Sequence, residues 1–304
     1  MDIKNIKTVY FVGIGGIGMS ALARYFKVMG YEVAGYDRTP SPLTRKMTGE
    51  EGFEITYEDD ENGVQEVFRD KEHTLVVYTP AVPQENRILS FFRDNGYALH
   101  KRAEVLGFLS HSKKALCIAG THGKTTTTTM LAFLLNRSHV GCSAFLGGIS
   151  SNFGTNLLID KDSDYMVIEA DEYDRSFLHL HPEIAVITAM DADHLDIYGT
   201  HEHLIEAFEE FALQTRGELF LRKGLELKKR TITGHYAAGE KTDYYADRLR
   251  VDNGSFLFDY IGKDIEIRDL FPGAGERGEC YGCNHGGFVC RSDAGRDSRG
   301  IAFV

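Results

Sequence analysis

No run of apolar residues approaches the roughly 20 that a membrane-spanning helix requires. The opening MDIKNIKTVYFVGIGG enters a strand pattern without the cleavage region of a signal peptide. Both absences lead to the expectation of a cytoplasmic protein with no membrane partner. Positive charge is also scarce, because 34 Lys and Arg stand against 45 Asp and Glu, for a formal net charge of −11. A duplex-DNA binder needs a basic face, so no nucleic-acid partner is expected, and an anionic substrate must be met by a few locally placed cations. No internal repeat of solenoid period occurs. Cysteine is sparse through most of the chain: Cys117 and Cys142 lie in apolar, strand-like contexts, whereas Cys280, Cys283 and Cys290 crowd the C-terminal end.

The 304 residues, 42% hydrophobic and 26% charged, suffice for about two domains. IKTVYFVG (6–13) reads as a buried strand, followed by a glycine turn, an amphipathic helix from Met19 to Met29 and a second strand YEVAGYD. The alternation continues with TLVVYT (74–79), a helical stretch near 84–95 and YALH (97–100), as a parallel sheet requires. The fold class is therefore α/β, with a Rossmann-like domain over 1–110. After a short polar segment, SHSKK (110–114), ALCIAGTHGKTTTTTMLAFLL repeats the strand, glycine loop and helix order and opens a P-loop ATPase-type α/β domain over 111–272. DYMVIEADE (164–172) and EIAVITAMDADHLD (183–196) read as strands ending in acidic or His-bearing loops, where open parallel sheets bind ligands. A helix is expected over 201–215. Short strands follow beyond about 230, with an NG turn at 253–254 that predicts a hairpin.

Two glycine loops carry the chemistry. Gly13-Ile14-Gly15-Gly16-Ile17-Gly18 follows a strand and opens a helix, so its backbone can approach a phosphate and the helix N-terminus can stabilise the charge. Asp37 ends the next strand, about 20 residues on. Taken alone, these features fit an NAD(P) dehydrogenase, another nucleotide held by the same geometry, or a tight turn that binds nothing. The second loop, Gly120-Thr121-His122-Gly123-Lys124-Thr125-Thr126, resembles a P-loop in which Ala119 or Ile118 replaces the first glycine. Amides from 121–125 would cradle the β-phosphate of ATP, Lys124 would bridge the β- and γ-phosphates, and the Thr125 hydroxyl would reach Mg²⁺. A dehydrogenase has no use for this second site. Glu169, at the end of DYMVIE, is the natural Walker-B carboxylate. Asp171, Glu172 and Asp174 lie close by, and at least two of these four acids are expected to be solvated or structural. His194 follows the next strand and could reach a second metal or a phosphate, while His179, His181, His201 and His203 form no complete metal site.

Several motifs occur in order: GIGGIGMSALA (13–23), GYDRTPSPLT (35–44), AGTHGKTTTTTM (119–130), GGISSNFGTN (147–156), EADEYDRSFLHLHPEIAVIT (169–188) and DADHLDIYG (191–199). Together they resemble the Mur ligases, ADP-forming carboxylate–amine ligases of bacterial cell-wall synthesis, over roughly the first 270 residues. The resemblance implies that the first loop binds a UDP-sugar rather than NAD. Gly13, Gly15, Gly16 and Gly18 would lie near the pyrophosphate and Asp37 near the uridine. It further implies that ATP phosphorylates the lactyl carboxylate of UDP-N-acetylmuramate, and that L-alanine attacks the acyl phosphate to give an amide, ADP and phosphate. Lys124, Glu169 and His194 would act in that step, with one Mg²⁺ on Thr125 and Glu169 and a second on His194. A muropeptide-recycling member of the family and a non-catalytic UDP-sugar-binding fragment are the alternatives.

The C-terminal end departs from the pattern. The resemblance implies a segment like H-N-x-x-N-x-x-A-A and a third Rossmann-like domain, whereas the sequence after DLFPG is rich in Gly, Arg and Cys, without periodicity. Cys280, Cys283, His285 and Cys290 could make a zinc knuckle. Read one nucleotide later, however, the codons of this stretch can spell NVENVTAA. The expectation is that residues 273–304 are a frameshifted, disordered tail, that the third domain is missing, and that the chain is weak or inactive in catalysis.

Overall fold

The computed structural model describes residues 5–150, 152–252, 255–262, 266–270, 288–290 and 301–303. The chain forms two compact units, Met1–Leu109 and Ser110–Val304.

In the first unit the elements run β1 (Thr8–Val12), α1 (Ile17–Val28), β2 (Glu32–Tyr36), α2 (Pro42–Gly49), β3 (Glu54–Thr56), β4 (Thr74–Tyr78), α3 (Arg87–Asp94) and β5 (Leu99–Lys101), and α4 (Arg102–Ser112) begins in it and ends three residues past its boundary. The five strands are all parallel, in the order β3-β2-β1-β4-β5. Central β1, TVYFV, is buried at every position, as a strand covered on both faces must be. On one face Tyr10 packs on Phe92 with ring centroids 5.0 Å apart, in a cluster with Val12, Val76, Ile88 and Leu89. The strand order reverses between β1 and β4, and such a switch point leaves a crevice at the carboxyl ends of the strands. The loop 13–18 lies at that end of β1.

The structure adds α2 and β3, which hydrophobic periodicity did not suggest. Their signals are local ones. Ser41 Oγ accepts from Thr44 N (3.1 Å) and Ser41 N donates to Thr44 Oγ1 (2.8 Å), a capping box with Pro42 at the first helical position. The polar segment at 110–114 is taken up by regular structure, because α4 continues to Ser112 and β6 starts at Lys114. Ser110 is buried there, and its hydroxyl accepts from His181 N at 3.0 Å.

The second unit contains β6 (Lys114–Ala119), α5 (Lys124–Arg137), β7 (Ser143–Ser150), β8 (Thr155–Leu158), β9 (Tyr165–Glu169), β10 (Ile184–Ile187), α6 (Leu195–Tyr198), α7 (His201–Gln214), β11 (Glu218–Arg222), β12 (Gly234–Ala238), β13 (Tyr244–Asp252), β14 (Ser255–Ile261) and β15 (Glu266–Leu270). They build a ten-stranded sheet ordered β15-β14-β13-β12-β11-β10-β6-β9-β7-β8, parallel from β13 to β7 and antiparallel at both margins. Helix α5 lays Leu131, Leu134 and Leu135 against Ile118, Val167 and Val186 of this sheet. The expected hairpin is β13–β14, with Asp252 opposite Ser255, and its turn residues 253–254 lie outside the described residues. Most of 273–304, and with it the frameshift and zinc-knuckle expectations, also lies outside them. Within that range β16 (Phe288–Cys290) and β17 (Ile301–Phe303) pair antiparallel. Among the described residues, no helix is long and apolar enough to cross a membrane.

Candidate nucleotide-binding sites

The first glycine loop is tied to the end of β2. Gly13 N and Ile14 N both donate to Tyr36 O, at 2.8 and 3.0 Å. Asp37 Oδ2 accepts from Gly15 N at 2.7 Å, and a Cβ on Gly15 would stand 2.6 Å from that oxygen, so only glycine lets the carboxylate close on the loop. No side chain caps α1 at Gly16, which leaves its first turn suited to an anion. A Cβ on Gly18 would lie 2.6 Å from Arg102 Nη1. The missing side chain thus lets a guanidinium lie over the start of α1. Arg102 did not emerge from the sequence as a site residue. Its signal was weak, a Lys-Arg pair after YALH at the C-terminal end of β5, the end at which open parallel sheets offer a ligand crevice.

The second loop joins β6 to α5. Gly123 caps the helix at φ +82 with no side-chain cap, so the first amides of α5 again face outward. Thr121 N donates to Ala189 O (3.0 Å), and Thr121 Oγ1 accepts from Asp191 N (3.1 Å). Thr188 Oγ1 donates to Ala119 O at 3.1 Å and also reaches His122 O, locking the loop to the chain that follows β10. His122 is exposed, with Nε2 3.9 Å from Asp191 Oδ2, and Thr126 points to solvent on the first turn of α5.

Parallel pairing of β6 and β9, with Ile118 opposite Glu169, brings the Glu169 carboxylate to the mouth of α5. Thr125 Oγ1 donates to Glu169 Oε1 at 2.9 Å, and Gly147 N donates to Oε2 at 2.9 Å. Burial pushes the Glu169 carboxyl above its ordinary range, while the bonds from Thr125 and Gly147 and the charge of Lys124 pull it back. Lys124 Nζ donates to Gly120 O (2.8 Å) and to Glu172 Oε1 (2.8 Å).

His194 begins α6 in a left-handed conformation, φ +52. Its Nε2 lies 3.6 Å from the same Glu172 oxygen, and its ring meets Tyr173 edge-on at 5.4 Å. Thr125 and Glu169 are therefore brought together as a hydroxyl and carboxylate pair, while His194 joins Lys124 around Glu172. Among the described residues, no three His, Cys, Asp or Glu side chains form a metal-ligating group. His201 and His203 bond the backbone oxygens of Met190 and Tyr198, at 2.7 and 3.0 Å.

A glycine loop at a sheet switch point in one unit, and in the other a lysine-bearing loop with a threonine–carboxylate pair, define an α/β protein of the P-loop-type nucleotide-binding class. The chain belongs to the Mur ligase family: residues 8–114 match the Mur ligase family catalytic domain and residues 118–273 the Mur ligase middle domain. It is 55% identical over 266 residues to the UDP-N-acetylmuramate–L-alanine ligase of Phocaeicola vulgatus, covering 86% of this chain and 58% of the relative. It is 50% identical over 276 residues to the enzyme of the same name from Parabacteroides distasonis, covering 89% and 60%. Among solved structures, UDP-N-acetylmuramate-alanine ligase MurC from Thermotoga maritima is similar with a TM-score of 0.71 and 27% identity, over 87% of this chain and 60% of that one. The chain spans about 58–60% of the length of these curated relatives.

Proposed function

We propose that the chain carries the UDP-sugar-binding unit and the ATP-binding core of a cytoplasmic ligase that joins L-alanine to the lactyl carboxylate of UDP-N-acetylmuramate, with release of ADP and phosphate. The observation that carries this reading is the Thr125–Glu169 contact of 2.9 Å beside Lys124, in a chain 55% identical to a ligase of that name. The first loop, with Gly13, Gly15, Gly16 and Gly18 under Arg102, would take the pyrophosphate of the sugar nucleotide. Asp37 would hold that loop in shape and stand near the uridine.

Two anions must meet when a carboxylate approaches a γ-phosphoryl group, so the residues of the second loop chiefly reduce charge repulsion. The amides of 121–125 would cradle the β-phosphate and the Lys124 ammonium would hold a terminal oxygen. The donor set fits Mg²⁺, because the Thr125 hydroxyl and the Glu169 carboxylate are hard oxygen ligands already in contact. His194 is the nitrogen donor for a second ion. Bound there, the metal would supply neutralising charge to the phosphoryl oxygens.

Phosphate release and calorimetric titration together test the reading. Phosphate should appear only when ATP, Mg²⁺, UDP-N-acetylmuramate and L-alanine are all present. Binding of UDP-N-acetylmuramate without release would favour a non-catalytic UDP-sugar-binding fragment, and no binding at all would sink the assignment of the first loop. Within that loop, Arg102→Ala is expected to weaken UDP-N-acetylmuramate binding by about tenfold, the value of one charge-assisted contact to a phosphate, while ADP binding stays unchanged. Equal loss of both ligands would remove Arg102 from the site.

A further inference from the structure

The lysine of the second loop is neutralised from inside the protein. Glu172 has a fully buried side chain, and its Oε1 receives Lys124 Nζ at 2.8 Å and faces His194 Nε2 at 3.6 Å. Its Oε2 is buried with no hydrogen-bond partner among the described residues. A carboxylate in such a place is costly unless paired, so the lysine is what makes it tenable. The backbone around it is specialised too. Asp174, Arg175 and His194 have φ of 53, 55 and 52, left-handed values that non-glycine residues keep only where their surroundings impose them. Tyr198 fixes the Glu172 backbone from the other side, its hydroxyl donating to Glu172 O at 2.5 Å.

The donor count has a consequence. An ammonium has three N–H donors, and Gly120 O and Glu172 Oε1 already take two of them. One remains for a phosphoryl oxygen. In charge, Lys124 stands against two carboxylates, Glu172 and Glu169, before any ligand arrives. We propose that Glu172 is a charge gate on the phosphate loop: a positioning residue that holds and neutralises Lys124, so that a polyphosphate without a divalent cation binds weakly. The gate rests on the nucleotide reading above. It makes binding conditional on the metal, whose charge replaces what Lys124 has given to Glu172.

Titration of the 304-residue chain with ADP, with and without Mg²⁺, tests the gate in wild type, Glu172→Gln and Glu172→Asp. Glutamine keeps the shape and removes the charge. Glu172→Gln should bind metal-free ADP about tenfold more tightly than wild type and lose a similar factor of the Mg²⁺ enhancement. Glu172→Asp, which keeps the charge, should retain the wild-type metal dependence. A folded Glu172→Gln whose metal-free affinity is unchanged or weaker overturns the proposal and leaves Glu172 a structural support.

Should Glu172→Gln fail to fold, the Lys124 ammonium resonance in ¹⁵N-labelled wild type decides. It should move little with metal-free ADP and clearly with ADP and Mg²⁺, and equal movement overturns the gate. Failure of wild type to bind ADP even with Mg²⁺ would instead sink the nucleotide reading, and the gate with it.

Discussion

Lys124→Met is expected to abolish measurable ADP and ATP binding and to lower the melting temperature as well, by roughly 6–12 °C. The two losses have separate causes. Binding goes because the cation assigned to the phosphates in the proposed function is gone, while the loop amides remain. Stability falls because methionine keeps most of the apolar stem but leaves the Glu172 carboxylate, fully buried, without its partner. Removing one member of a buried pair costs about 3–5 kcal/mol, far more than an exposed pair is worth. The double variant Lys124→Met, Glu172→Gln removes the stranded charge, so it should recover most of the lost stability and none of the binding. Thermal melts followed by circular dichroism, beside ADP titration, check both parts. A single variant that melts with wild type would mean that the Lys124–Glu172 contact contributes nothing to the fold.

Both glycine loops were legible in the sequence because their chemistry belongs to the backbone. A buried aliphatic strand, closely spaced glycines and a helix start are all local, and β1–α1 and β6–α5 form where that pattern places them. The position of Glu169 beside the second loop was legible for a related reason. It ends β9, and a carboxylate at the carboxyl end of a strand in a parallel sheet faces the ligand crevice. The partners that approach from elsewhere were not legible. Glu172 stood among four neighbouring acids, and only the turn after β9, with Asp174 and Arg175 in left-handed conformations, buries it under Lys124. Arg102 reaches the first loop through the space left at Gly18, a fact of tertiary packing with no periodic signature.

Among the secondary elements, the ones without expectation were short or glycine-bearing. β3 has three residues, and β7 contains Gly147 and Gly148, which lower strand propensity. Gly147 has a use that propensity does not register, since a side chain there would run into the Glu169 carboxylate. Ser110 belongs to a polar segment of the sequence, yet its hydroxyl is satisfied inside the fold by His181 N. A small polar residue with a buried partner behaves as core.

Gly120→Ala is expected to be the most damaging single-methyl change in the second unit. Gly120 has φ +133, a conformation that L side chains rarely adopt. The added Cβ would stand 2.7 Å from Ala189 N and 3.0 Å from Ala189 O, with Thr188 Oγ1 closer still. Two of these obstacles are backbone atoms of the chain leaving β10, so no side-chain rotation relieves them. The loop must move away from β10, which breaks the Thr121 N to Ala189 O bond and the bonds of Thr188 Oγ1 to Ala119 O and His122 O. Strain and lost bonds together should destabilise this unit by about 3–5 kcal/mol and weaken ADP binding by more than about a hundredfold. Gly148→Ala is the matched control, since its Cβ would meet nothing within 4 Å among the described residues and its φ is not in the left-handed region. That change should stay within about 0.5 kcal/mol of wild type. Urea denaturation of both variants measures the contrast, and equal stability would show that the β6–α5 turn yields where its geometry says it should not.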